Sequence, residues 1–542
     1  VAIAAPSSAP AASNDPEIDS TELPPLESED TPPADGAGPL ADDHAKWLGL
    51  PLSEAERLAA EMPRPLGSPM LAALWRQLLK GGPKASADVL EFRARSLLEQ
   101  GWAADASALL APLTAAAPEL AVLSAKAALA TGDGSEACPI LRRVPSAQAV
   151  ELSKADRADF VSIAAFCAAL TKDQTQAALA ADVLREGGIE RPVALAVLDS
   201  LSQGTELADA NTGSLDVIDA RLLGLVRPVG AAELGDRPSP LTVAALAADA
   251  TRDPEGRAEA LELAFQAHLA PASQIADAYA AIEIAPEVRQ NPLAQDTEGT
   301  RKRAVLYQAA AEESAMLRKS RYIRAMLDET TRAGFGASAG ALLAEAVAAL
   351  PQVGEIGWFA ESAVEILIAA GRPVVAAEWI ERDRELDTTG GRLGLGHWLV
   401  LADVAGAFRE SRQTTLAELE PAVRAGVFPP DVLQRLVTVL DALEYNVPIA
   451  VWEAAGGGLQ SDSGELPETG LLTELQDAAR AGNRPRTVLL AVLALAKGGP
   501  SGAHQLALGD AIRALKRVGM EREARQLAFE ALYPLWPRRA GG

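Results

Sequence analysis

A serine set between glycines carries the clearest chemical suggestion in this 542-residue chain. Gly336-Ala337-Ser338-Ala339-Gly340 fits G-x-S-x-G, in which a strained turn between a strand and a helix lifts a nucleophilic serine out of the fold. His397 and His504 follow in the order a triad base would take. The preceding residues, Glu312 to Arg332, are charged and helix-like, whereas the elbow needs a buried strand there. The expected reading is therefore helix–turn–helix, with no catalytic residue and no enzymatic activity, and a hydrolase using Ser338 is the alternative. No phosphate-cradling G-x-x-x-x-G-K-[ST] run occurs. Gly391, Gly394 and Gly396 lie close together without a preceding strand and are expected to form a flexible turn. Four histidines (His44, His268, His397, His504) are too dispersed for a metal motif, and no cofactor is expected. Glu312, Glu313 and Glu361 are read as solvated helix faces.

The two cysteines, Cys138 and Cys167, lie 29 residues apart on neighbouring predicted hairpins. In an oxidising compartment a bond between them would contribute about 3–4 kcal/mol by closing that loop. Two buried free thiols acting as small apolar side chains are the other reading.

Charge is the next source of chemistry. With 49 basic and 74 acidic side chains the net charge is −25, which argues against nucleic acid as a partner. The acidity is uneven. Residues 1–45 hold ten Asp or Glu and no Lys or Arg, while residues 480–542 hold eleven basic and four acidic residues. A basic island runs through Arg301, Lys302, Arg303, Arg318, Lys319, Arg321, Arg324 and Arg332, with Tyr307 and Tyr322 among them. Arg318, Arg321, Tyr322 and Arg324, with Arg513, Lys516 and Arg517 near the carboxyl end, are the candidate partner-binding residues. They suit an acidic segment of a protein partner, including the chain's own amino-terminal tail.

The elements that must position these groups are helices. Alanine makes up about a fifth of the chain and aromatic residues 4%. Alanine is the best helix former, and the residues that favour sheets are scarce. Start and stop signals are frequent. Ser53 to Glu56 has the form of a capping box. Ser68-Pro69 opens a helix that stops at Gly81-Gly82. Pro421 should break or kink a helix through Leu416 to Ala425. The apolar run Thr487 to Ala496 is long enough for a buried helix and too short to span a bilayer.

One spacing recurs. Ala94, Gly101, Ala106 and Leu110 are separated by seven, five and four residues. The same intervals relate Ala125, Gly132, Ala137 and Leu141, and also Ala165, Lys172, Ala177 and Ala181. They return at Val364, Gly371, Ala376 and Ile380, and at Ile512, Gly519, Ala524 and Ala528. A small residue in a first helix, a turn glycine and a small residue in a second helix resemble a degenerate tetratricopeptide repeat. The resemblance implies an all-α fold, a right-handed α-solenoid of stacked hairpins whose neighbours bury one another's apolar faces. It also implies a surface for holding another protein. Trp47 and Trp75 are expected to cover the open first end of that stack.

Three segments are expected: a disordered Pro-rich acidic tail over 1–45, a helical-repeat segment over 46–289, and a second over 290–542 with a loop at 456–470. Val1 to Ala5 looks like the end of an export segment, and Ala9-Pro10-Ala11 fits a signal-peptidase site. The expected location is the periplasm, as an exported soluble protein without a transmembrane segment, with the cytoplasm as the alternative. In composition and style the chain resembles accessory proteins of bacterial envelope machines such as the flagellar motor, pili and secretion systems. Self-association as a structural subunit, tail against basic end, is a further alternative.

Overall fold

The computed structural model describes residues 51–81, 86–112, 117–207, 215–386, 394–406, 412–456 and 464–539. The tail over 1–45, the possible export remnant at 1–11, His44, Trp47 and Gly391 lie outside them. All described residues belong to one compact unit. Their regular structure is helical throughout, without a named strand; one isolated parallel bridge joins Glu465 to Ala503.

The recurrent spacing corresponds to a recurrent backbone device. All five turn positions, Gly101, Gly132, Lys172, Gly371 and Gly519, have positive φ, between +53° and +82°. Glycine enters that region freely, and Lys172 shows that a neighbouring pair of packed helices can hold an ordinary residue there. The fifteen residues flanking these turns in the five units are all buried. In each unit a first helix and a second pack as neighbours, as Lys154–Leu170 does against Gln174–Glu186, and Gln505–Arg517 against Glu521–Leu532. At Gly101 the constraint is also steric, because a Cβ would lie 2.7 Å from the Pro240 carbonyl oxygen.

Several local expectations are corrected. The first described helix, Leu52–Ala60, begins one residue before Ser53, and the Pro51 carbonyl receives the Glu54 and Ala55 amides, so no side-chain capping box forms. The second helix of the first unit is Ala103–Leu110. Pro118 opens the next helix at its first turn, where its missing N–H costs nothing. Pro421 lies inside the continuous Arg412–Arg424 helix. It removes one backbone bond there, while Leu419 on the same helix is fully buried. Ser68 does cap Pro69–Lys80, accepting from the Leu71 amide at 3.1 Å. The Arg484–Ala496 helix is buried over most of its length, and no described helix is long and apolar enough to cross a membrane. The boundary expected between 289 and 290 falls inside the short Pro286–Gln290 helix.

Trp75 does not cover an open end. Its helix, Pro69–Lys80, packs against Arg484–Ala496 and Glu521–Leu532, so the first and last described parts of the chain meet. The segment leading into that helix is a meeting point. Gln100 accepts the Leu66 amide at 3.1 Å and donates to the Pro63 carbonyl at 2.9 Å. Glu530 accepts from the Ser68 hydroxyl and, at 3.1 Å, from the Met70 amide. Buried arginines tie helix ends elsewhere. Arg93 donates to the Leu79 and Lys80 carbonyls, Arg221 to those of Leu129, Gly132 and Ala245, and Arg435 to those of Pro500 and Ala503. Each supplies donors to carbonyls that a helix end or turn leaves unpaired. Burial lowers the Arg93 pKa to about 10, which still leaves it charged at neutral pH.

Candidate interaction surfaces

Ser338 is the third residue of the Gly336–Ala348 helix, which follows the Met316–Arg332 helix through a turn with Gly334 at φ +87°. The strand that a nucleophile elbow requires is replaced by a helix. Gly340 has a packing reason instead: a Cβ there would stand 2.8 Å from the Ala369 Cβ and 2.9 Å from the Ile366 carbonyl oxygen. The G-x-S-x-G match thus sits at a close helix crossing. His504 caps its own helix, its Nδ1 accepting from the Leu506 amide at 3.2 Å, and His397 is enclosed by aromatic rings. Neither imidazole bonds to Ser338 among the described residues. No described group of His, Cys, Asp and Glu has the arrangement to hold a metal ion.

Cys138 and Cys167 are joined as a disulfide with Cα atoms 5.6 Å apart, fastening the five-residue Ala137–Leu141 helix to Lys154–Leu170.

The basic candidates are largely engaged within the chain. Arg318 pairs with Glu313 at 2.9 Å, and Arg324 with Asp328 at 3.1 Å and the Ser362 hydroxyl at 2.8 Å. Tyr322 is buried, its hydroxyl 3.3 Å from the Gln290 carbonyl, while Arg321 is exposed. Arg513 reaches Asp441 at 2.7 Å, Lys516 the Leu443 carbonyl at 2.9 Å, and Arg517 the Gln476 side chain at 3.1 Å. Other members of the island behave alike. Arg301 pairs with Glu255, Lys302 with Glu329, and Arg303 grips Glu262 with two nitrogens while Tyr279 donates to the same carboxylate. Glu312 meets Arg289 at 3.0 Å.

The most elaborate polar site was not legible in the sequence. Glu361 and Glu365 lie one turn apart on Ala360–Ala369, so they share a face. Asp383 comes from Pro373–Leu386, and His397 and Trp398 from His397–Val404. Together they hold the carboxyl-terminal segment that follows the Tyr533–Leu535 turn. Arg538 donates to Glu365 at 2.6 and 2.8 Å, and Arg539 forks onto Asp383 at 2.7 and 3.3 Å. Glu361 takes the Arg539 amide with both oxygens at 3.0 Å and also accepts from the Trp398 indole at 3.3 Å. The Trp536 ring stacks on His397 with centroids 6.2 Å apart and meets Phe428 edge-on at 5.3 Å. Burial pushes His397 below its ordinary pKa, against the pull of the Pro537 and Gly394 carbonyls. Its Nε2 lies 3.0 Å from the Pro537 carbonyl and its Nδ1 3.3 Å from that of Gly394. Only the excess of basic residues near the end of the sequence signalled this site. Glu361, read from the sequence as a solvated helix face, instead holds the Arg539 amide, and nothing in the sequence pointed to Glu365 and Asp383, 173 and 156 residues from their arginines.

Two other carboxylates titrate unusually. Burial pushes Glu530 up to about 7, opposed by its bonds from Ser68 and Met70. Burial and then the neighbouring Asp216 push Asp219 up to about 6, although Arg191 faces both. Near the joined ends, a cavity of about 350 Å³ has a leucine floor (Leu58, Leu489, Leu490) and a rim that includes Glu54, Glu468 and Arg486.

No known protein family, curated protein or solved structure matches the chain.

Proposed function

We propose that the protein is a non-catalytic helical-repeat scaffold that binds another protein in the bacterial periplasm. In this reading it is a tetratricopeptide-like α-solenoid and an accessory or assembly factor of an envelope machine such as a flagellar motor, a pilus or a secretion system. The observation that carries the reading is the recurrence of helix, positive-φ turn and helix with small or aliphatic residues buried at fixed intervals on both sides. Repeated hairpins of this kind suit extended binding surfaces because many side chains line up along a stack. The Cys138–Cys167 bond supports an oxidising compartment. Arg321 is an exposed member of the basic set and suits an acidic partner segment.

Cross-linking in envelope fractions followed by recovery of the protein tests the scaffold reading. One or a few defined partners are expected, and recovery of the monomer alone under efficient cross-linking overturns it. Ser338→Ala should leave biological activity intact; its loss in a folded variant would favour the hydrolase. Thiol titration of the denatured, non-reduced protein should find no free thiol, and two would remove the argument for an oxidising compartment.

A further inference from the structure

The carboxyl-terminal segment is held in the way a receptor holds a peptide. Trp536 to Arg539 follow the last helical turn, which the Trp536 amide closes onto the Tyr533 carbonyl, while Arg538 donates to the Trp536 carbonyl. Beyond Trp536, side chains from other helices meet the backbone: Glu361 takes the Arg539 amide, and His397 meets the Pro537 carbonyl. The specificity contacts are an aromatic anchor followed by two arginines, each directed to its own carboxylate. Trp536 is 2% exposed within rings from His397, Trp398 and Phe428. Arg538 and Arg539 then point to Glu365 and Asp383, whose side chains are 12% and 6% exposed. Forked arginine–carboxylate contacts of this kind add geometric selectivity to attraction.

Part of the receptor side is held by contacts that do not involve the segment. Glu361 is oriented by the Trp398 indole, and the carboxylates stand on helices whose other faces are core. The fit of the resident segment is also incomplete, because the buried Trp536 Nε1 has no hydrogen-bond partner among the described residues. An aromatic residue without an N–H would forfeit nothing there.

We infer that the site built from Glu361, Glu365, Asp383, His397 and Trp398 is a peptide-recognition site for an aromatic residue followed, two and three positions later, by arginines. In this structure the chain's own segment fills it, and a partner protein presenting the same pattern displaces that segment. The inference deepens the scaffold reading by giving the partner's chemistry, and it rests on that reading for there being a partner at all. Because the resident segment is tethered, it competes at high effective concentration, so a free peptide binds the unaltered chain weakly.

The test is fluorescence anisotropy with a labelled Leu-Trp-Pro-Arg-Arg-Ala peptide. It is titrated into the full chain carrying Arg538→Glu and Arg539→Glu, with circular dichroism and a melting curve to establish the fold. Saturable binding is expected, about tenfold or more tighter than to the unaltered chain. Binding should vanish when Glu365→Gln and Asp383→Asn are added, and it should survive replacement of the peptide's Trp by Phe. A folded variant that fails to bind the peptide overturns the proposal, as does binding indifferent to Glu365 and Asp383, because the segment then serves only its own chain. If the double reversal does not fold, the full chain with Arg539→Ala is titrated in the same way: saturable binding upholds the site and its absence overturns it. A failed titration removes this site and leaves the scaffold reading, whose own test is the cross-linking.

Discussion

Two sets of arginines serve this molecule differently. On the Met316–Arg332 helix, Arg318 and Arg324 pair with Glu313 and Asp328, five and four residues away, and their own side chains are 59% and 43% exposed. In the closing segment, Arg538 and Arg539 reach Glu365 and Asp383, 173 and 156 residues away and largely buried. The first set finds its carboxylates within its own stretch of sequence, with Arg324 also reaching the Ser362 hydroxyl on a later helix. The second joins parts of the chain that local sequence cannot bring together. Basic residues that look alike in composition therefore differ in reach: Arg318 and Arg324 neutralise carboxylates within five residues of themselves, of which Asp328 is half-exposed and rehydrates, whereas without Arg538 and Arg539 the buried Glu365 and Asp383 lose a counter-charge brought from a distant part of the chain.

The largest effect expected from this contrast is at the anchor of the closing segment. Trp536→Ala should cost about 3–5 kcal/mol of stability, read from a denaturant melt, because it leaves a cavity between His397, Trp398 and Phe428. A loss near that of an exposed substitution would show that the segment is not part of the core.

Glu530 provides a pH-dependent counterpart where the first and last parts meet. Its folded pKa of about 7 lies above its ordinary 4.5. The folded state therefore favours the protonated acid. This contribution is complete below about pH 4.5 and is lost as pH rises through about 7, by on the order of 3–4 kcal/mol. Glu530→Gln should flatten that part of the stability–pH curve, and an unchanged slope would exclude Glu530 as its source.

Asp383→Asn should cost about 1–3 kcal/mol, since it removes the charge facing the partly buried Arg539. Arg318→Ala is the smallest, at about 1 kcal/mol or less, because its guanidinium is 59% exposed and Glu313 keeps the bond from the Ala315 amide. Equal effects from these last two substitutions would erase the distinction between the two sets.

Legibility followed the range of the interaction. The spacing that placed Gly101, Gly132, Gly371 and Gly519 at turns matched positive φ at all four, because a chain reversal is a property of a few consecutive residues. Lys172 kept the same geometry without glycine, so position in the repeat outweighed residue type there. Local rules also misled. Ser53 looked like a cap, but the Pro51 carbonyl had already begun the helix, and Pro421, expected to break or kink its helix, lies inside the unbroken Arg412–Arg424. The basic island was visible as charge, yet its pairing with Glu255, Glu262, Glu313 and Glu329 was not. The Gly336–Gly340 motif appeared as possible chemistry until the approach of Ala369 gave Gly340 a steric role.

By itself the sequence determined that this chain is helical, where many helices turn, and which small residues face inward, since backbone sterics and apolar periodicity act over a few residues. Only the tertiary structure decided that Ser68 meets Glu530, that Arg538 and Arg539 find Glu365 and Asp383, and that Trp536 enters a ring of aromatic side chains. Those pairings depend on the accumulated directions of the intervening helices. A small change of angle at each turn would move the end of the chain by many ångströms, so no short stretch of residues encodes them.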